Sequence, residues 1–255
     1  MTLPKPRHWR ERPLLATIAL AIGLAVAAVG MAWAVVVLGR GDYLTAVVTS
    51  GYAAAILCVV LSAARVRLGK VSARGTHDAH GTTVHIDRVC TWLMGAAALL
   101  VIPSGILFVV GALTDALDLP FIGAGPRLYL AIVMAFAVVG GITLLAAMIS
   151  RGGLGHVRLT PTGFEIGELR RVEYGEWSDV RDVTDEVADK NAREPIVIDM
   201  SDGSSHVINV AGNYTPHGIG LYWMVRQYWR HPEQRADLTD GRAIRRLHDE
   251  EFDAK

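Results

Sequence analysis

Apolar residues fall into four long runs, Leu14–Leu38, Tyr43–Ala64, Val89–Leu113 and Leu128–Ile149, none of which contains Asp, Glu, Lys, Arg or His. A bilayer core about 30 Å thick takes roughly 20 apolar residues as a helix. A backbone in lipid must satisfy its own hydrogen bonds, so the runs predict four transmembrane helices. The first run, 25 residues long, exceeds a signal-peptide core and is followed almost at once by another span, so a retained helix is expected. Small pairs four apart (Gly23 and Ala27, Gly30 and Ala34, Ala137 and Gly141) suit close helix packing. Pro103-Ser104-Gly105 predicts a bend in the third span.

Beyond Gly155 the period changes. His156–Thr160 and Phe164–Leu169 alternate apolar with polar residues, as strands with one covered face do. Arg170–Trp177 predicts a further strand, with a bend at Ser178-Asp179. Ile196–Met200 and His206–Val210 flank Asp202-Gly203, a hairpin turn signal. Leu221, Tyr222, Val225 and Trp229 mark one face of a helix over about 216–229, and a short charged helix is expected near 242–250.

Charge divides the chain at the same place. Before Leu154 there are twelve Lys and Arg against six acids, whereas Leu154–Lys255 holds thirteen against nineteen. Three regions are expected: a transmembrane part over 1–153, an α+β domain over 154–230 and a charged tail over 231–255, with Ser150–Gly153 as the hinge. Ten basic residues flank the spans on the side of the termini and two, Arg40 and Arg127, on the other. This asymmetry predicts a multi-pass cell-membrane protein with both termini cytoplasmic.

Candidate chemistry is sparse. No ionisable group lies deep in a span, which disfavours a pump or coupled transporter. The 66–88 segment holds His77, His80, His85, Asp78 and Asp87 but lacks an established zinc ligand frame, so a polar loop is the expectation and a metal role stays open. Its basic half, Arg65, Arg67, Lys70 and Arg74, is the candidate contact for anionic lipid headgroups, at roughly 1 kcal/mol per residue near the surface. Cys58 and Cys90 fall in apolar runs and predict no disulfide. Gly123-Ala124-Gly125 opens no strand-to-helix unit, and neither a nucleophile elbow nor an HExxH helix occurs. Neither catalytic residues nor a cofactor are assigned, and the acidic C-terminal region disfavours nucleic acid.

The segments Leu159-Thr160-Pro161-Thr162-Gly163-Phe164 and Glu176-Trp177-Ser178-Asp179-Val180 resemble the bacterial pleckstrin-homology-like domain. The resemblance covers about 154–229 and implies a β-barrel or sandwich closed by a C-terminal helix, in a family common beside transmembrane helices. The tail over 231–247 is similar to that of actinobacterial membrane proteins of unknown activity. Phosphoinositide-binding relatives imply a basic mouth, but here Arg170-Arg171 is flanked by Glu168 and Glu173. A protein partner is therefore expected of a membrane-anchored adaptor. The alternative is a regulatory or structural component of a transport system; an enzyme ranks third.

Overall fold

The computed structural model describes residues 3–9, 13–114, 124–168, 171–186 and 194–253. They form two units: residues 13–64 with 92–150, and residues 1–12, 65–91 and 151–255.

The first unit is built on α1 (Pro13–Gly39), α2 (Tyr43–Arg67), α3 (Arg88–Leu113) and α4 (Ala124–Arg151). All four are long and apolar enough to cross a membrane, each holding an 18-residue stretch with a mean hydropathy of 2.1 to 2.6. Asp42 starts α2, accepting the Thr45 amide at 3.0 Å as an N-cap does. Small residues set the helix contacts. A Cβ placed on Gly30 would lie 3.1 Å from that of Ala53, so α1 and α2 approach closely there. A Cβ on Gly51 would overlap Ser104, and one on Gly141 would press on Ile102, which bring α3 against α2 and α4. α3 runs unbroken through Pro103.

The second unit begins with the hairpin β1 (Arg74–Asp78) and β2 (Gly81–His85), where a polar loop was expected. Physical reasons for the strand are visible in the residues. Asp78 accepts the His80 and Gly81 amides at 2.7 and 2.9 Å, closing the turn with a side chain. Thr82 and Val84 then point inward and are wholly buried. β2 pairs with β3 (His156–Leu159), Val84 opposite Val157, and the meander continues through β4 (Gly163–Gly167) and β5 (Val172–Glu176).

A short turn at Trp177–Asp179 then starts a separate three-stranded sheet, β6 (Val180–Thr184), β7 (Ile196–Met200) and β8 (Ser205–Ile208). Of the expected barrel or sandwich, a closed barrel is ruled out: the strands form two antiparallel sheets, because β5 and β6 do not pair and the intervening turn re-aims the chain. The two quoted motifs meet at this turn. The Trp177 indole donates to the Thr160 carbonyl at 2.8 Å, its ring lies 5.5 Å from Phe164, and the Thr160 hydroxyl accepts the Gly163 amide. At the β7–β8 turn Gly203 has φ +86°, the region that Asp-Gly predicts.

α5 (Ile219–Arg230) is buried on more than its expected face: Trp223, Met224 and Tyr228 are covered as well as Leu221, Tyr222 and Val225. The cover comes from both ends of the chain. The tail, with α6 (Arg242–Asp249), adds Leu238, Ala243, Leu247 and Phe252 to the same core. From the N-terminal segment, Trp9 is 6% exposed, stacks edge-on to Tyr222 and donates to the Pro195 carbonyl at 2.8 Å. The Trp223 indole in turn donates to the Pro4 carbonyl.

The N-terminal segment is fastened by His8, whose amide and Nδ1 meet the two oxygens of Asp185 at 2.8 and 2.9 Å. Hydrogen bonding and charge from Asp185 raise the His8 pKa above its usual 6.5. Burial would push Asp185 up, but the His8 bonds hold it below its usual 3.8. The His8 contribution is full below 6.5 and is lost as pH rises through its raised value. That of Asp185 is full above 3.8 and is lost as pH falls through its lowered value. The protection of the His8 amide, its exchange measured relative to the base-catalysed rate of a free amide, should therefore fall above neutral pH, and Asp185→Asn should remove that fall.

Candidate interaction surface

Strand register places two cross-strand rows on the outer face of the five-stranded sheet. One runs Arg74, His85, His156, Gly167, Val172; the other runs Thr76, Thr83, Arg158, Glu165, Tyr174. Most of the polar groups bind one another. Arg158 reaches both oxygens of Asp78 at 3.0 and 2.7 Å, His156 Nε2 lies 2.8 Å from Glu165, and His85 Nε2 lies 3.2 Å from the Thr76 hydroxyl. Burial, with the charges of Arg74 and neighbouring His156, pushes the His85 pKa down and favours the neutral imidazole. The face is of mixed charge and largely self-neutralised.

β5 departs from this pattern. Glu173 and Gly175 point inward, whereas Val172 and Tyr174 point outward, with Glu176 exposed at the end of the strand. Glu173, opposite buried Ile166, is held by His206 Nδ1 at 2.9 Å, and Gly175 lies under the Phe164 ring. Val172 and Tyr174 face out and are 37% and 67% exposed. β5 is also the last strand of its sheet, paired only with β4 among the described residues. An exposed aromatic beside unpaired backbone is what strand addition by another chain requires. The sequence predicts the strand, and its inverted polarity is readable in Val172-Glu173-Tyr174-Gly175.

The candidate metal-binding histidines diverge. His77 lies beside Gly241 on the opposite face of the sheet from His85 and is exposed, as is His80 in the β1–β2 turn. Among the described residues no group of three or more His, Cys, Asp or Glu is placed to hold a metal ion. Asp87 has a different role. Wholly buried, it accepts Arg65 Nε at 2.9 Å, the Ser72 amide and hydroxyl at 3.1 and 2.8 Å, and the Cys90 amide at 3.2 Å. It caps α3 and ties the start of the 65–87 excursion to its end.

Of the four basic residues assigned to lipid headgroups, Arg65 is thus engaged by Asp87, Arg67 is half-buried, and Lys70 and Arg74 are exposed. Arg170 lies outside the described residues, and Arg171 sits 4.0 Å from Glu173. Cys58 and Cys90 form no disulfide with each other. Comparison of the chain with protein-family models, with curated proteins and with solved structures finds no match in any of the three.

Proposed function

We propose that this protein is a non-catalytic, membrane-anchored adaptor that captures a protein partner along β5. The observation carrying the proposal is the inverted polarity of that strand, which exposes Val172 and Tyr174 beside an unpaired sheet edge. Mixed, internally paired charge on the adjoining face suits a polypeptide better than an anionic headgroup. The α+β unit is read as pleckstrin-homology-like. In support, β2–β5 form one meander, β6–β8 another, a long helix follows, and the two family-like motifs bind each other around Trp177.

On this reading the unit lies on the cytoplasmic side of the cell membrane, as the basic flanks favour. A common core built from Trp9, Val84 and Val157 supports the pairing of spans into two hairpins, since the three segments must then share one side. Lys70 and Arg74 remain the lipid-facing cations.

The test places a photoreactive residue at position 174 in the full-length protein in its native membrane. A discrete adduct is expected there, lost when Val172 is changed to Asp, and absent from a control at exposed Asp202. Equal labelling at 174 and 202 would overturn the proposal.

A further inference from the structure

The open edge of β5 has a defined hydrogen-bonding phase. The Glu168 amide donates to the Arg171 carbonyl at 2.8 Å and the Trp177 amide to the Thr162 carbonyl at 3.0 Å, so the odd-numbered residues bond to β4. In an antiparallel ladder the alternate residues turn both backbone groups the other way. Val172, Tyr174 and Glu176 therefore present their amides and carbonyls to the open edge.

Charge changes sign along that edge. Arg171, its side chain 79% exposed, precedes the strand; Glu176 ends it and Asp179 follows in the turn, both exposed. Such a strand complements itself only when antiparallel. A two-fold axis at Tyr174 sets Arg171 of each copy beside Glu176 of the other, whereas a parallel copy would set like charges side by side.

The register is equally constrained, because opposed side chains must share a face of the sheet. Centring on Tyr174 opposes Tyr174 to Tyr174 and Val172 to Glu176. All three open residues are then paired, with about six new backbone hydrogen bonds at two per pair. Glu173 meets Gly175 of the other copy, which leaves it room. Centring on Glu173 instead would oppose two carboxylates, which is destabilising. Centring on Gly175 would leave Val172 beyond the end of the other strand.

We infer that the partner captured along β5 is a second copy of this chain, the two strands pairing antiparallel about Tyr174. This rests on the reading of β5 as a capture edge and names its occupant. One strand pair is small against the roughly 1,600 Å² of a typical free-standing complex. Chains carrying four spans in one bilayer start from a raised local concentration, as linked modules do.

The test uses full-length protein in its native membrane, co-expressed with two different affinity tags and mildly oxidised. Tyr174→Cys is expected to give a disulfide-linked dimer carrying both tags, since Cα atoms about 5.5 Å apart in an opposed pair are within disulfide reach. Val172→Cys alone and Glu176→Cys alone should give no dimer above that of the unaltered chain, but the two co-expressed should. Absence of the Tyr174→Cys dimer, or equal dimer from all of these and from Asp202→Cys, would overturn the inference. The photoreactive residue at position 174 separates the two claims and needs no added cysteine, so it decides even if a cysteine variant is unstable. An adduct that carries the other tag and maps to residues 172–176 supports both. An adduct with a different protein keeps β5 as the capture edge and removes the second copy as its occupant; no adduct removes both.

Discussion

A fragment running from Leu154 to Lys255 is expected to remain unfolded in solution, although it contains β3 to β8 and both short helices. Without β2, the four paired residues of β3 lose one side of their ladder and become a bare edge prone to aggregation. Val84, fully buried, leaves the core, as does the Thr82 hydroxyl that bonds the Leu238 carbonyl at 2.6 Å. Losing Trp9 uncovers Tyr222 and the Pro195 carbonyl. A buried Val is worth about 1.5–3 kcal/mol. Truncating a buried Trp costs about 3–5 kcal/mol. Against a typical net stability of about 5–15 kcal/mol these losses are decisive. Circular dichroism should show no cooperative melt. A soluble chain that joins residues 3–9 and 71–87 to 154–253 through flexible linkers should regain one. Equal cooperativity in the shorter fragment would make the hairpin an accessory.

Asp87→Ala is expected to destabilise the α+β unit by about 3 kcal/mol, the order found when one partner of a buried charge pair is removed. The residue is fully buried, and its loss leaves the Arg65 guanidinium, the Ser72 amide and the Cys90 amide without their acceptor. Burial by itself would raise the carboxyl pKa; the Arg65 and Ser72 hydrogen bonds outweigh it and hold the group well below its usual 3.8. A carboxylate shifted down stabilises the fold above its unfolded pKa and loses that contribution as pH falls through the folded value. The unaltered protein should therefore weaken below about pH 4, a dependence that the Ala variant largely lacks. Thermal melts at pH 7 and pH 3 measure both effects. Replacing the pair together, Arg65→Met with Asp87→Leu, should recover much of the loss, because no unpaired charge then remains.

Much of the architecture was readable along the chain, because each of those elements is a local pattern. Uncharged runs of helical length marked α1 to α4, and alternation with Asp202-Gly203 marked β7 and β8. The hairpin over 74–85 was missed because its histidines and threonines read as polar, and only pairing with β3 gives Thr82 and Val84 an inside. Likewise α5 shows one apolar face in isolation. Trp223 and Tyr228 find their cover only in residues far away, at Pro4 and in the tail. Arg65 and Asp87 could be named as charged flanks, but nothing in a spacing of 22 residues announces their bond. The β5 surface was within reach: Val172-Glu173-Tyr174-Gly175 alternates, and the face carrying Tyr174 is outward because Phe164 occupies the space above Gly175.

The contact between Trp9 and Pro195 joins residues 186 apart, and in a free chain closing so long a loop is slow and entropically costly. Two helical hairpins lie within that interval. Once each has inserted into a bilayer, its ends are held near one another and the search shrinks to three short tethered segments. In a chain whose four spans insert first, lipid would thus shorten the search for a core assembled from these segments.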